Sequence, residues 1–281
     1  MSNNANLNIS EYLPYLVNRL GSALVDPTVG AYLALSFVLT PALNLVTMHM
    51  DQVLYPLLAA SVLYAMVLAV GRGPRYAAVA GCLTYASVYV SFSLLFLFPV
   101  VGLLLAGYWA CCRRRWRRVL AVGLVFGVSV AACAVAFYLA LNFEPFKAFV
   151  RVNAHHRAWM EIEGLVRLRG NIHNFYEFAV WFGLPGAILY ASQCWRILCA
   201  PSEHRSPVAV LALGYPVILA ALSLFGGTEH EVGRLWIPFA VPALVPVARE
   251  LAALHAGRPP WLVVIAGVVM ILLMKNYQDF Q

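Results

Sequence analysis

The chain has 281 residues, of which 62% are hydrophobic and 11% charged, with a mean hydropathy of +0.78. A soluble domain carries about 25% charged residues. That shortfall excludes a soluble fold, and apolar runs of about 18 residues or more make this a polytopic α-helical membrane protein. The net charge of +7 sits mostly in short loops between those runs, so it is not a nucleic-acid footprint.

The expected fold class is all-α, a transmembrane helical bundle of about nine spans in one membrane domain. It has an N-terminal interfacial helix and one outward amphipathic loop. Residues 7–25 set Leu7, Leu13, Leu16, Val17, Leu20 and Leu24 at helical spacing, which predicts the interfacial helix. No basic stretch followed by an apolar core marks a cleavable signal there. The expected spans are 29–48, 52–70, 76–91, 93–111 and 119–141, then 174–198, 207–225, 232–249 and 261–275. The run from Tyr76 to Cys112 is 37 residues. One straight helix of that length measures ~55 Å against a hydrocarbon core of ~30 Å. It must fold back, and Ser91-Phe92-Ser93 before Pro99 is the expected turn. Pro238, Pro242 and Pro246 predict a kinked or partly irregular span over 232–249. The six cysteines lack metal spacing and show no disulfide framework; ordinary buried thiols are expected.

Alternating nine spans sorts the charges. One side receives Arg19, Arg72, Arg75, the R-R-R-W-R-R cluster at 113–118, Arg196, Arg205, Arg249 and Arg258, which is 12 of 19 basic residues. The other receives 8 of 12 acids and 5 of 7 histidines. The arginine-rich side reads as cytoplasmic, with the N-terminus inside and the C-terminus outside.

Three outward stretches carry candidate chemistry. T-M-H-M-D-Q at 47–52 puts His49 and Asp51 in a short turn; Asp51 either caps the next helix or acts as a base or cation ligand. The loop 142–173 holds Arg151, His155, His156, Arg157, Arg167 and Arg169, with an interfacial helix expected after Pro145. So many cations suit a phosphate-bearing lipid or anionic headgroups. The adjacent histidines are a weak metal signal, since neighbours point to different helix faces. F-G-G-T-E-H-E-V-G-R-L-W at 225–236 places Glu231 and Arg234 on one helical face, as a capping box with an ion pair or as an anchor for a charged headgroup. Nucleotide, zinc-protease and serine-hydrolase motifs are missing from the sequence.

Three segments carry a resemblance. They are H-M-D-Q-V-L-Y-P-L-L with Y-V-S-F-S-L-L-F, then N-F-Y-E-F-A-V-W-F-G-L-P, then G-G-T-E-H-E-V-G-R-L-W-I-P. The chain resembles the C-terminal membrane portion of GT-C superfamily glycosyltransferases, in the group around the protein mannosyltransferases and the aminoarabinose lipid A transferases. Glu231, Arg234 and Trp236 match that group's segment, and His230 departs from its small residue. The resemblance implies transfer of a sugar from a polyprenyl-phosphate donor on the outer face of a bacterial plasma membrane. Asp51 would then be the base or metal ligand, with His49 beside it, and the loop arginines and histidines would hold the donor phosphate. Glu231 and Arg234 would position the donor. The residues name no cofactor, although a divalent cation at Asp51 is compatible with them. Membrane lipids and a membrane-protein partner are the other expected contacts. The chain is shorter than members of that group and lacks their acidic first loop. The alternatives are therefore a truncated or non-catalytic lipid-binding subunit and, from another class, a small-molecule transporter.

Overall fold

The computed structural model describes residues 9–45, 50–111, 116–162, 167–200, 206–225, 237–255 and 259–279, with side chains for 12–45, 53–111, 116–155, 173–200, 206–223, 237–255 and 259–276. Among them the chain is helical throughout, with no strand. The helices are α1 (Ile9–Leu24), α2 (Pro27–Val38), α3 (Pro41–Leu45), α4 (Met50–Arg72), α5 (Arg75–Val90), α6 (Leu97–Cys111) and α7 (Trp116–Leu141). Then come α8 (Pro145–Ile162), α9 (Arg167–Phe182), α10 (Leu184–Cys199), α11 (Pro207–Phe225), α12 (Ile237–His255) and α13 (Trp261–Asp279).

Among the described residues, four helical stretches are long and apolar enough to cross a membrane: Val53–Arg72, Phe92–Cys111, Trp116–Leu141 and Ile237–His255. Their surroundings fit. Leu124, Leu139 and Leu262 are 71%, 77% and 81% exposed on continuous apolar faces of α7 and α13, which water would penalise and lipid would not. Some buried hydroxyls are satisfied inside their own helices: Thr84 and Ser87 donate to the carbonyls of Ala80 and Leu83. Polar side chains at membrane depth commonly settle this way.

The nine expected spans do not all appear as unbroken rods. The 29–48 span divides between α2 and α3, because Pro41 disfavours helical geometry at Thr40. The 174–198 span divides at Gly183, whose φ of +94° no ordinary side chain adopts comfortably. The expected turn is present: Ser91 is extended and its hydroxyl caps a 3-10 turn over Phe92–Phe96. Of the 232–249 span, residues 237–249 are α-helical through Pro242 and Pro246, and 232–236 lie outside the described residues.

The N-terminal helix is there, but its apolar face is covered by protein. Leu13, Val17 and Leu20 are buried in the main core. α1 turns into α2 across Val25 and Asp26, whose carboxylate accepts from the Val29 amide. At the crossing, an added Cβ on Gly21 would meet the Gly30 Cα at 2.8 Å, so side chains are barred from the contact. α2 and α4 pack in turn on α12, the most enclosed helix of the bundle.

Candidate functional site

The ends of the bundle differ in chemistry. α4 runs to Arg72 and α5 returns from Arg75, so Met50-Asp51 and Ser91 share one end. Phe149 of α8 meets Phe92 there at 5.7 Å between ring centroids, and Phe239 of α12 meets Phe96 at 4.2 Å. The opposite end carries Arg72, Arg75, Arg117, Arg196 and Arg249. Arg75 and Arg117 lie over the rings of Tyr76 and Trp116, a belt-like pairing of cations with interfacial aromatics.

Reaching from the first end to the middle of the bundle, between α9, α10, α11 and α12, is a groove of about 180 Å³. One wall is the stripe Phe175, Phe178, Ala179 and Phe182, spaced so that all four fall on one face of α9. Tyr190, Tyr215, Pro216 and Leu219 face it. Both tyrosine hydroxyls are committed elsewhere: Tyr190 donates to the Ala212 carbonyl at 2.6 Å, and Tyr215 to that of Phe239. The groove therefore offers a ligand aromatic and aliphatic surface, with no free phenol.

Its polar rim is one turn away. Asn174, 1% exposed, donates from Nδ2 to Ser223 Oγ at 3.2 Å, tying α9 to α11. His173 Nε2 lies 3.0 Å from Glu177 on the next turn and stacks against Tyr176. Glu177 keeps its second oxygen buried with no hydrogen-bond partner among the described residues. The arrangement is amphipathic, with a carbon-lined slot and the Asn174–Ser223 amide–hydroxyl pair one turn beyond it, while His173 and Glu177 fall on the opposite face of α9 from the phenylalanine wall.

The sequence-predicted residues stand as follows. Asp51 opens α4 at the same end, with its side chain outside the described set. Arg151 and His155 lie on α8 and are exposed; neither lines the groove. His156 and Arg157 follow on α8, and Arg167 and Arg169 begin α9, described as backbone only. His49, Glu231 and Arg234 fall outside the described residues. No group of three or more His, Cys, Asp or Glu able to hold a metal occurs among the described residues.

Sequence reasoning missed the groove and its Asn174–Ser223 clasp. The signal was the spacing of Phe175, Phe178 and Phe182 inside N-F-Y-E-F-A-V-W-F. It also missed Glu250, a fully buried carboxylate at the arginine-rich end. The cysteines are less hidden than expected, since Cys82 and Cys199 are exposed on the apolar surface. The chain matches no family model, no curated protein and no solved structure.

Proposed function

We propose that the protein is a membrane-embedded transferase that takes a sugar from a polyprenyl-phosphate donor. The observation that carries this is the groove with its polar rim. An isoprenoid chain suits the Phe175–Phe178–Phe182 wall, where no polar group needs a partner. A phosphate-bearing head suits the end where α9 opens with Arg167 and Arg169 and α8 presents Arg151 and His155. Asp51, at the same end of the bundle, is the candidate base for activating an acceptor hydroxyl.

The test uses the full chain purified in mild detergent. Its co-extracted lipids are identified by mass spectrometry, and release of labelled sugar from a polyprenyl-phosphate sugar is followed in reconstituted vesicles. Retained polyprenyl phosphate with sugar turnover supports the proposal. Retained lipid without turnover supports a non-catalytic lipid-binding subunit instead. Neither lipid nor turnover ends both readings.

A second reading, a small-molecule transporter, draws on a separate observation. The α2–α3 and α9–α10 interruptions abut: a Cβ on Gly183 would lie 3.1 Å from the Pro41 ring. Ser36 and Thr40 line a small cavity at that junction, and the Ser36 hydroxyl is buried without a partner among the described residues. Interrupted helices facing one another are a recurrent way to build transport sites. Uptake of a solute by vesicles without sugar transfer would favour this reading.

A further inference from the structure

α5 and α7 run parallel, and their contacts climb in register. Gly81 sits against Phe126, Ser129 and Val130, Tyr85 meets Phe137 at 5.1 Å, and Tyr89 meets Phe143 at 5.0 Å. Cys82 and Cys133 lie between the first two rungs of this ladder, one on each side of the seam. The backbones are close there, since a Cβ on Gly81 would be 2.7 Å from the Phe126 carbonyl oxygen and 2.8 Å from the Ser129 Cβ. Helices this close can bring facing residues to the ~5.5 Å Cα separation of a disulfide. Cys82 is exposed on the apolar surface, within reach of molecules dissolved in lipid. Tyr85, on the next rung against Phe137, has a buried hydroxyl with no partner among the described residues, a further polar group in an otherwise apolar seam.

We propose that Cys82 and Cys133 form a reversible dithiol–disulfide site that clamps α7 to α5 and is oxidised from the membrane phase by a quinone. Two S–H bonds break and one S–S bond forms. Two electrons and two protons pass to the quinone, which leaves as hydroquinone. Of the four long apolar spans α7 has the least burial, and it packs chiefly on α5, so the bond would fasten it to its main neighbour.

The full chain in lipid nanodiscs is treated with a fully ring-substituted benzoquinone, which cannot alkylate thiols through a free ring position. Thiols are counted by maleimide labelling after denaturation, and unreduced peptides are mapped by mass spectrometry. Two thiols should be lost per chain, the Cys82 and Cys133 peptides should be joined, and one hydroquinone should appear per chain. In Cys82→Ser the Cys133 thiol should stay open to labelling, and in Cys133→Ser the Cys82 thiol should. The proposal is overturned if the unaltered chain keeps both thiols, or if the bond maps to any other pair.

Discussion

Glu250 of α12 accepts hydrogen bonds from Arg196 Nη2 at 2.8 Å and Ser192 Oγ at 2.7 Å, both on α10, and its side chain has no exposed surface. Arg249, one residue back, donates to Ser206 Oγ just before α11. Three helices are thus pinned at the arginine-rich end of the bundle by one carboxylate and two guanidinium groups. An ionisable group this enclosed is tolerable only because it is paired.

Removing the pairing partner should therefore cost more than neutralising the acid. Arg196→Met leaves a buried charge with one hydroxyl for company. It should destabilise the bundle by about 2 kcal/mol, below the figure for a fully buried pair because Arg196 is partly exposed. Glu250→Gln keeps the acceptor oxygen and should cost less than half as much. Thermal unfolding in one detergent, followed by light scattering or intrinsic fluorescence, checks the order. Equal midpoints for the two variants would mean the pair is not what holds α10 to α12.

Glycines give a matched comparison. Gly107 has no room, because a Cβ there would sit 2.8 Å from the Pro207 Cα. Gly102, on the same helix, has nothing within 4 Å. Gly107→Val should separate α6 from α11 and cost about 1–3 kcal/mol, typical of overpacking. Gly102→Val should be within about 0.5 kcal/mol of the parent, as for substitutions that touch nothing. The same melting assay reads both.

Much of the bundle was legible in the sequence because bilayer thickness constrains it. The fold-back at Ser91 follows from a 37-residue apolar run that no single span can hold. The start of α8 at Pro145 follows from the proline itself. Among the described residues Arg72, Arg75, Arg117, Arg196 and Arg249 do share one end of the bundle. What escaped reading has local causes. Gly183-Leu184-Pro185 sits inside a continuous apolar run, so hydropathy passed over a break that the backbone makes with a positive φ. The α1 stripe Leu13, Val17 and Leu20 looks the same whether it faces lipid or protein, and only the Gly21–Gly30 approach decides for protein. Glu250 went unnoticed because charges were sorted by side and not by burial. Of the candidate site, the cationic character of α8 and α9 was readable. The groove was not, because its walls come from four helices whose relative rotation no periodicity reports.

The Gly183 break invites a direct measurement. Alanine at a φ of +94° is strained, by about 1–3 kcal/mol for a backbone held in a Gly-favoured region. Its Cβ would also press on the Pro41 ring at 3.1 Å. Gly183→Ala should lower the melting midpoint clearly, whereas Gly127→Ala on α7, with nothing within 4 Å, should leave it level or slightly raised. If both variants melt alike, α9 and α10 are not held in this broken geometry.

Filling the groove separates ligand binding from chemistry. Ala187 lines it from α10 with part of its surface open. Ala187→Trp should occupy the slot between Phe178 and Tyr215 and cut the polyprenyl lipid recovered with the protein at least tenfold, about 1.4 kcal/mol of binding. The fold should survive, because the added ring enters existing space and does not displace packed atoms. Asp51→Asn should do the reverse, leaving lipid recovery unchanged while abolishing sugar transfer, since the amide retains shape and loses basicity. Lipid quantified by mass spectrometry and labelled sugar released in vesicles give the two readouts on the same preparations. Undiminished lipid in Ala187→Trp would remove the groove from the proposal, and undiminished transfer in Asp51→Asn would remove the base.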